Sequence, residues 1–153
     1  MLPAGLAQRL VSQLDGVALI VRDLPPERLT RRAAPDKWSA QENLAHLARY
    51  QRMFLDDRIP RILNEERPEF LRYRSEDDPE WPRWRGMTLE RTLTELTAGR
   101  KALAERIASC SDRELARVGV HPAFGTMTLS EWVEFFLIHD AHHLYIALTR
   151  QRA

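Results

Sequence analysis

Cysteine is almost absent from this chain. Its one copy, Cys110, can form no disulfide within the chain, and nothing in cysteine usage points to an oxidising compartment. At the end of a helical pattern, Cys110 reads as a small packing residue. Net charge is also nearly absent, with 23 basic residues against 22 acidic ones, a formal +1, and the two signs interspersed. That leaves no electrostatic footprint for a nucleic-acid backbone or an anionic membrane, which disfavours DNA binding. Only Lys37 and Lys101 are lysines. The excess of arginine, alanine and leucine reads as a GC-rich genome rather than a phosphate-binding surface. No stretch approaches the roughly 20 apolar residues that span a bilayer, and the N-terminus lacks a charged segment leading into an apolar run with a cleavage site. The expectation is a cytoplasmic protein with neither nucleic acid nor membrane as a partner.

What the chain does have is enough apolar surface for a core. Its 153 residues, 44% hydrophobic, fit a single domain spanning 1–153. Four amphipathic helical patterns cover most of it. The first, about residues 3 to 22, places Leu6, Leu10, Leu14, Val17 and Val21 on one face and stops at Pro25-Pro26. The second opens at Ser39 with Glu42 three residues on, a capping box, and runs to about Ile59 or Leu63 with Pro60 as a kink or early stop. A polar connection from about Asn64 to Gly86 contains Trp81 and Trp84, too much aromatic surface to be solvated. It is expected to fold over the helices or pack on a partner. The third helix runs from Thr88 to near Ser109, with Leu89, Leu93, Leu96, Leu103 and Ile107 inward and Gly99 as a mild local cost. Residues 118 to 127 read as a loop or short extended excursion. Thr128 and Glu131 then cap a fourth helix reaching about Gln151. The expected fold is all-α, a four-helix bundle with long interhelical connections.

The fourth helix contains His139-Asp140-Ala141-His142-His143. Trp132, Phe136, His139, His143 and Ile146 share one helical stripe, so His139 and His143 stand one turn apart on the face turned inward. Such a pair can chelate one divalent ion, and the metal would offset the cost of burying unpartnered imidazoles. His142 lies on the flank. Of the remaining histidines, His121 sits beside Pro122 in the irregular connection, where an exposed or turn-stabilising histidine is expected. His46 shares the inward face of the second helix with Asn43, Leu47, Tyr50 and Phe54. Imidazoles from facing helices about 8–10 Å apart can meet at one ion, which makes His46, His139 and His143 the candidate ligands.

Trp38-Ser39 followed by Glu42 and His46, an arginine at position 100 in the third helix, and the closing His139 and His143 resemble, in order and separation, the DinB-like (DinB/YfiT-like) metalloenzyme family. The resemblance covers essentially the whole chain. It implies a four-helix bundle, frequent pairing as homodimers, and a divalent metal, commonly zinc or nickel, on three histidines matching His46, His139 and His143. Relatives include S-transferases and isomerases using low-molecular-weight thiols, and some metal-dependent hydrolases, so the expected partner is a small-molecule substrate or thiol.

Three nitrogen ligands leave a coordination position open to water or a thiol. Tyr50 and Asp57, on roughly the face of His46, are candidates to line the cavity or supply a proton, the alternatives being a packed aromatic for Tyr50 and a surface carboxylate beside Arg58 or Arg61 for Asp57. Arg100 is a candidate to pair with the carboxylate of a substrate or cofactor thiol, and Asp140 is expected to be solvated. Three readings share the fold: a thiol-transferase or hydrolase; a non-catalytic metal-binding or stress-response module whose Trp81/Trp84 surface engages a partner; and a metal-free bundle whose buried histidines protonate as pH falls.

Overall fold

A computed structural model describes residues 3–22 and 24–152. The first helical stretch is two helices, α1 (Pro3–Ser12) and α2 (Leu14–Val21), rather than the continuous one expected. The junction is Gln13, whose side-chain amide donates to the Leu137 carbonyl at 2.8 Å while its own carbonyl takes the Gly16 N–H at 3.1 Å. That three-residue closure tightens the backbone and turns the apolar face, so Ile20 is fully buried and Val21 only partly. Pro26 does not merely stop a helix. It occupies the first turn of the short α3 (Pro26–Thr30), where its missing N–H costs nothing.

The helix α4 (Ala40–Met53) begins as expected: Ser39 Oγ accepts from the Glu42 N–H at 3.1 Å, and Glu42 accepts the Ser39 N–H at 2.8 Å. Pro60 leaves the rod unbroken. One π-helical turn, Phe54–Arg58, precedes α5 (Ile59–Asn64), with the Ile59 N–H reaching five residues back to Phe54. Proline offers no N–H and crowds the carbonyl four residues earlier, and the wider turn relieves both constraints. It also adds a residue to the turn, which rotates everything after Met53 relative to an ideal α-helix.

The polar connection holds a 3₁₀ turn, Ser75–Asp77, and the short α6 (Trp81–Arg85). Trp81 and Trp84 are buried, 5% and 4% exposed, against Leu44, Leu47 and Leu96. The connection therefore folds over the bundle, and the tryptophan surface expected to engage a partner is spent inside the protein. Next come α7 (Leu89–Ala108), capped by Thr88, and the four-residue α8 (Asp112–Leu115). An antiparallel hairpin of β1 (Val118–His121) and β2 (Gly125–Thr128) pairs Val118 with Thr128 and His121 with Gly125. The final helix, α9 (Leu129–Arg152), starts at the expected Thr128–Glu131 box.

The rod α1–α2 with α4, α7 and α9 makes the four-helix bundle, α1 and α4 packing on α7 and α9 lying on α4. One core cluster gathers Leu6, Leu10, Phe54, Leu103, Trp132 and Phe136. Among the described residues no helix is long and apolar enough to cross a membrane.

Arg100 and Asp140, each 1% exposed, form an ion pair inside this core. Neither matches its sequence expectation: Arg100 is not available to a ligand, and Asp140 is not solvated. The guanidinium also donates to the Leu10 carbonyl at 3.1 Å and to Gln51 Oε1 at 3.0 Å. Gly99, expected to be a local cost, has a reason in the same place. A Cβ there would lie 2.5 Å from Gln51 Nε2, the amide that donates to the Leu96 carbonyl. Alanine in a helix interior is favoured over glycine by about 1 kcal/mol. The overlap reverses that sign, so Gly99→Ala is predicted to lower stability by about 1–2 kcal/mol, as for other overpacked sites. A denaturation midpoint at or above that of the parent protein would contradict it.

Candidate metal centre

The structure brings His46 of α4 together with His139 and His143 of α9. One ring nitrogen from each lies within 4.8 Å of the others, and the Nε2 atoms of His46 and His139 are 3.1 Å apart. Their other nitrogens face partners supplied by the fold. Asn43 Nδ2 donates to the Ser39 carbonyl at 2.9 Å, which turns Asn43 Oδ1 toward His143 Nδ1, also at 2.9 Å. An amide oxygen only accepts, so the His143 proton sits on Nδ1 and the Nε2 lone pair is free. His46 Nδ1 lies 2.7 Å from Ser75 Oγ. Trp38 packs on His46 with ring centroids 5.1 Å apart, and Tyr50 stacks on His139 at 4.0 Å.

Burial, followed by the neighbouring imidazoles, pushes His46 down to about 2 and His143 to about 3. Both are neutral near pH 7, the form that binds metals. Two nitrogens about 2.0–2.1 Å from one tetrahedral ion lie about 3.3–3.4 Å apart, close to the 3.1 Å between His46 and His139. His139 Nδ1 and Asp140 Oδ1 are buried without hydrogen-bond partners and face each other at 3.9 Å. An imidazole that ligates through Nε2 characteristically turns its Nδ1–H toward such a carboxylate. The donor set and its surroundings therefore fit a divalent ion.

The cluster opens into a cavity of about 850 Å³ whose walls include Trp38, Tyr50, Arg58, Tyr73, His121 and Phe135. Tyr50 is a packed aromatic lining this cavity, and its hydroxyl accepts from Arg58 Nη1 at 3.0 Å. Burial raises its pKa, so it keeps its proton at neutral pH. Asp57 does not reach the site. The π-helical turn leaves it exposed and brings Arg58 inward in its place. His121 stabilises its turn, as expected, with Nδ1 accepting from the Ala123 and Phe124 N–H groups at 3.1 and 3.2 Å. His142 is exposed on the flank. Ser75 and Arg58 escaped the sequence reading. Ser75 comes from a segment with no periodicity, whereas Arg58 was signalled only by Pro60.

The DinB superfamily profile matches residues 9–147. The chain belongs to the DinB superfamily. It is 25% identical over 138 residues to the uncharacterized protein YuaE of Bacillus subtilis (strain 168), covering 81% of this chain and 83% of that one. Its fold is similar to that of YfiT from Bacillus subtilis, with a TM-score of 0.80 at 17% identity, covering 98% of this chain and 86% of that one. YfiT is described as a probable metal-dependent hydrolase with an unusual four-helix bundle topology. For this DinB-superfamily chain, family membership and the three-histidine cluster together support a metal-dependent function.

The lowered histidine pKa values set a pH window. An unfolded histidine takes up its proton near 6.5, whereas His46 and His143 do so only at about 2 and about 3 when folded. The unfolded state thus binds more protons below 6.5, so stability is full above that pH and is lost as pH falls. Each histidine contributes a slope approaching about 1.4 kcal/mol per pH unit. Denaturant titrations of chelator-treated protein at about pH 7.5, 6 and 5 are predicted to show falling midpoints, and a flat series would contradict the buried, neutral assignment.

Proposed function

We propose that His46, His139 and His143 ligate one divalent ion, zinc or nickel, and that the protein is a metal-dependent enzyme acting on a small molecule. The observation that supports this is the convergence of three imidazoles whose remaining nitrogens face Asn43, Ser75 and the Asp140 carboxylate. A divalent ion held by three nitrogens supplies an open position at which water or a thiol loses its proton near neutral pH.

The chain's own residues do the rest. Asn43 and Ser75 fix two imidazole orientations, which keeps the donor nitrogens aimed at one point. Trp38 and Tyr50 cover the ring faces and keep bulk water from them, while the wider cavity leaves room for an organic substrate beside the cluster. The description of YfiT favours the hydrolytic form of this reading. The thiol S-transferase form uses the same site with a low-molecular-weight thiol in the place of water. The non-catalytic module loses its suggested docking surface, because Trp81 and Trp84 are buried.

Elemental analysis of protein purified without chelator is expected to give close to one divalent ion per chain. Replacing His139 or His143 with alanine should abolish retention, Asn43→Ala should weaken affinity by about 10–100-fold, and His142→Ala should leave it unchanged. Full occupancy in the His139→Ala, His143→Ala double variant would sink the ligand assignment.

A further inference from the structure

Among the described residues two arginines are buried, Arg58 and Arg100, and of these only Arg100 has a counter-charge. Arg100 is neutralised by Asp140. Arg58 is 4% exposed, yet among the described residues no carboxylate lies within ion-pair distance of it. A guanidinium has five N–H donors. The acceptors on Arg58 are neutral: the Tyr50 hydroxyl at 3.0 Å and the Leu71 carbonyl at 3.4 Å. Its carbon also lies 5.1 Å from the centroid of the Trp132 ring and 5.5 Å from that of Tyr50. Aromatic faces offset part of the desolvation of a cation but leave its net charge uncompensated. Asp140, whose field reaches Tyr50, is already committed to Arg100.

Arg58 lines the same cavity as the three histidines. Tyr50 connects them, with its hydroxyl on the guanidinium and its ring on His139. The exposed Arg72, Arg74 and Glu76 also line the cavity, and Arg74 Nε lies 3.7 Å from Asp77 Oδ2. The lining of the cavity thus includes three arginines and one glutamate, with aromatic residues, among them Phe124 and Phe135.

We propose that Arg58 is the anion-recognition group of this site and that the substrate is an organic carboxylate with an apolar or aromatic body, its carboxylate held by the guanidinium while its reacting group lies toward the histidines. A planar fork facing a cavity matches a carboxylate bidentately, and low surrounding polarity strengthens that pairing. The substrate's charge would replace the counter-ion the fold does not supply. This deepens the proposed metal-dependent function, resting on it for the position of the reacting group.

The test titrates benzoate into the metal-loaded protein, followed by calorimetry, with benzamide as the neutral isostere and inorganic phosphate as the competing anion. Benzoate should bind saturably and more tightly than benzamide and phosphate. Arg58→Gln should weaken benzoate by at least about tenfold while leaving benzamide unchanged, and Arg58→Lys should restore part of the loss. The benzoate-against-benzamide comparison in the parent protein needs no variant and stands if Arg58→Gln fails to fold. No saturable benzoate binding, equal binding of benzamide, tighter phosphate binding, or benzoate affinity unchanged in Arg58→Gln each overturn the proposal. Metal content measured on the same samples separates the two failures. Arg58-dependent binding by metal-free chains removes the metal reading alone, whereas retained metal with Arg58-independent binding removes the carboxylate site alone.

Discussion

The bundle is organised around one buried guanidinium. Arg100 of α7 takes the Asp140 carboxylate of α9, the Leu10 carbonyl of α1 and the Gln51 amide oxygen of α4, so all four long helices meet at a single side chain. A buried pair of this kind gains little net stability, because desolvating two charges consumes most of their attraction, but losing one partner is costly. Its consequence is geometric. A carboxylate that must face Arg100 sets the rotation of α9 about its axis. With Asp140 turned to the core, the neighbouring His139 and the histidine one turn later are turned to α4, where His46 stands.

The remaining site geometry follows from that rotation and from one irregularity in α4. Asn43 sits one turn before His46 and presents its amide oxygen to His143, while Ser75 arrives from the 3₁₀ turn to meet the other side of His46. The π-helical turn ahead of Pro60 then exchanges the face of the helix, removing Asp57 and placing Arg58 in the wall. A cluster of three imidazoles and a cation with no counter-ion among the described residues thereby share one cavity. The first suits a divalent ion and the second an anionic ligand.

Local periodicity was enough to read the four helices, three of their caps and the convergence of the histidines, because each depends on residues a few positions apart. Asp140 was misread for a related reason. Its helical position put it off the histidine stripe, but its partner Arg100 lies forty residues away in another helix, and a buried ion pair leaves no periodic trace. Asp57 falls near the face of His46 only on an ideal α-helix; the π-helical turn leaves it the surface carboxylate that was its other reading and turns Arg58 inward. Trp81 and Trp84 were correctly expected to be covered, yet only the fold shows that the cover is the bundle itself. Ser75 lies in a stretch with no pattern to read.

The most direct measurement is X-ray absorption at the metal edge of protein purified without chelator. About three imidazole nitrogens at about 2.0–2.1 Å are expected, with their outer-ring scattering and one or more further ligands completing the coordination. Sulfur in place of an imidazole, or a metal bound by fewer than two imidazoles, would contradict a centre built from His46, His139 and His143.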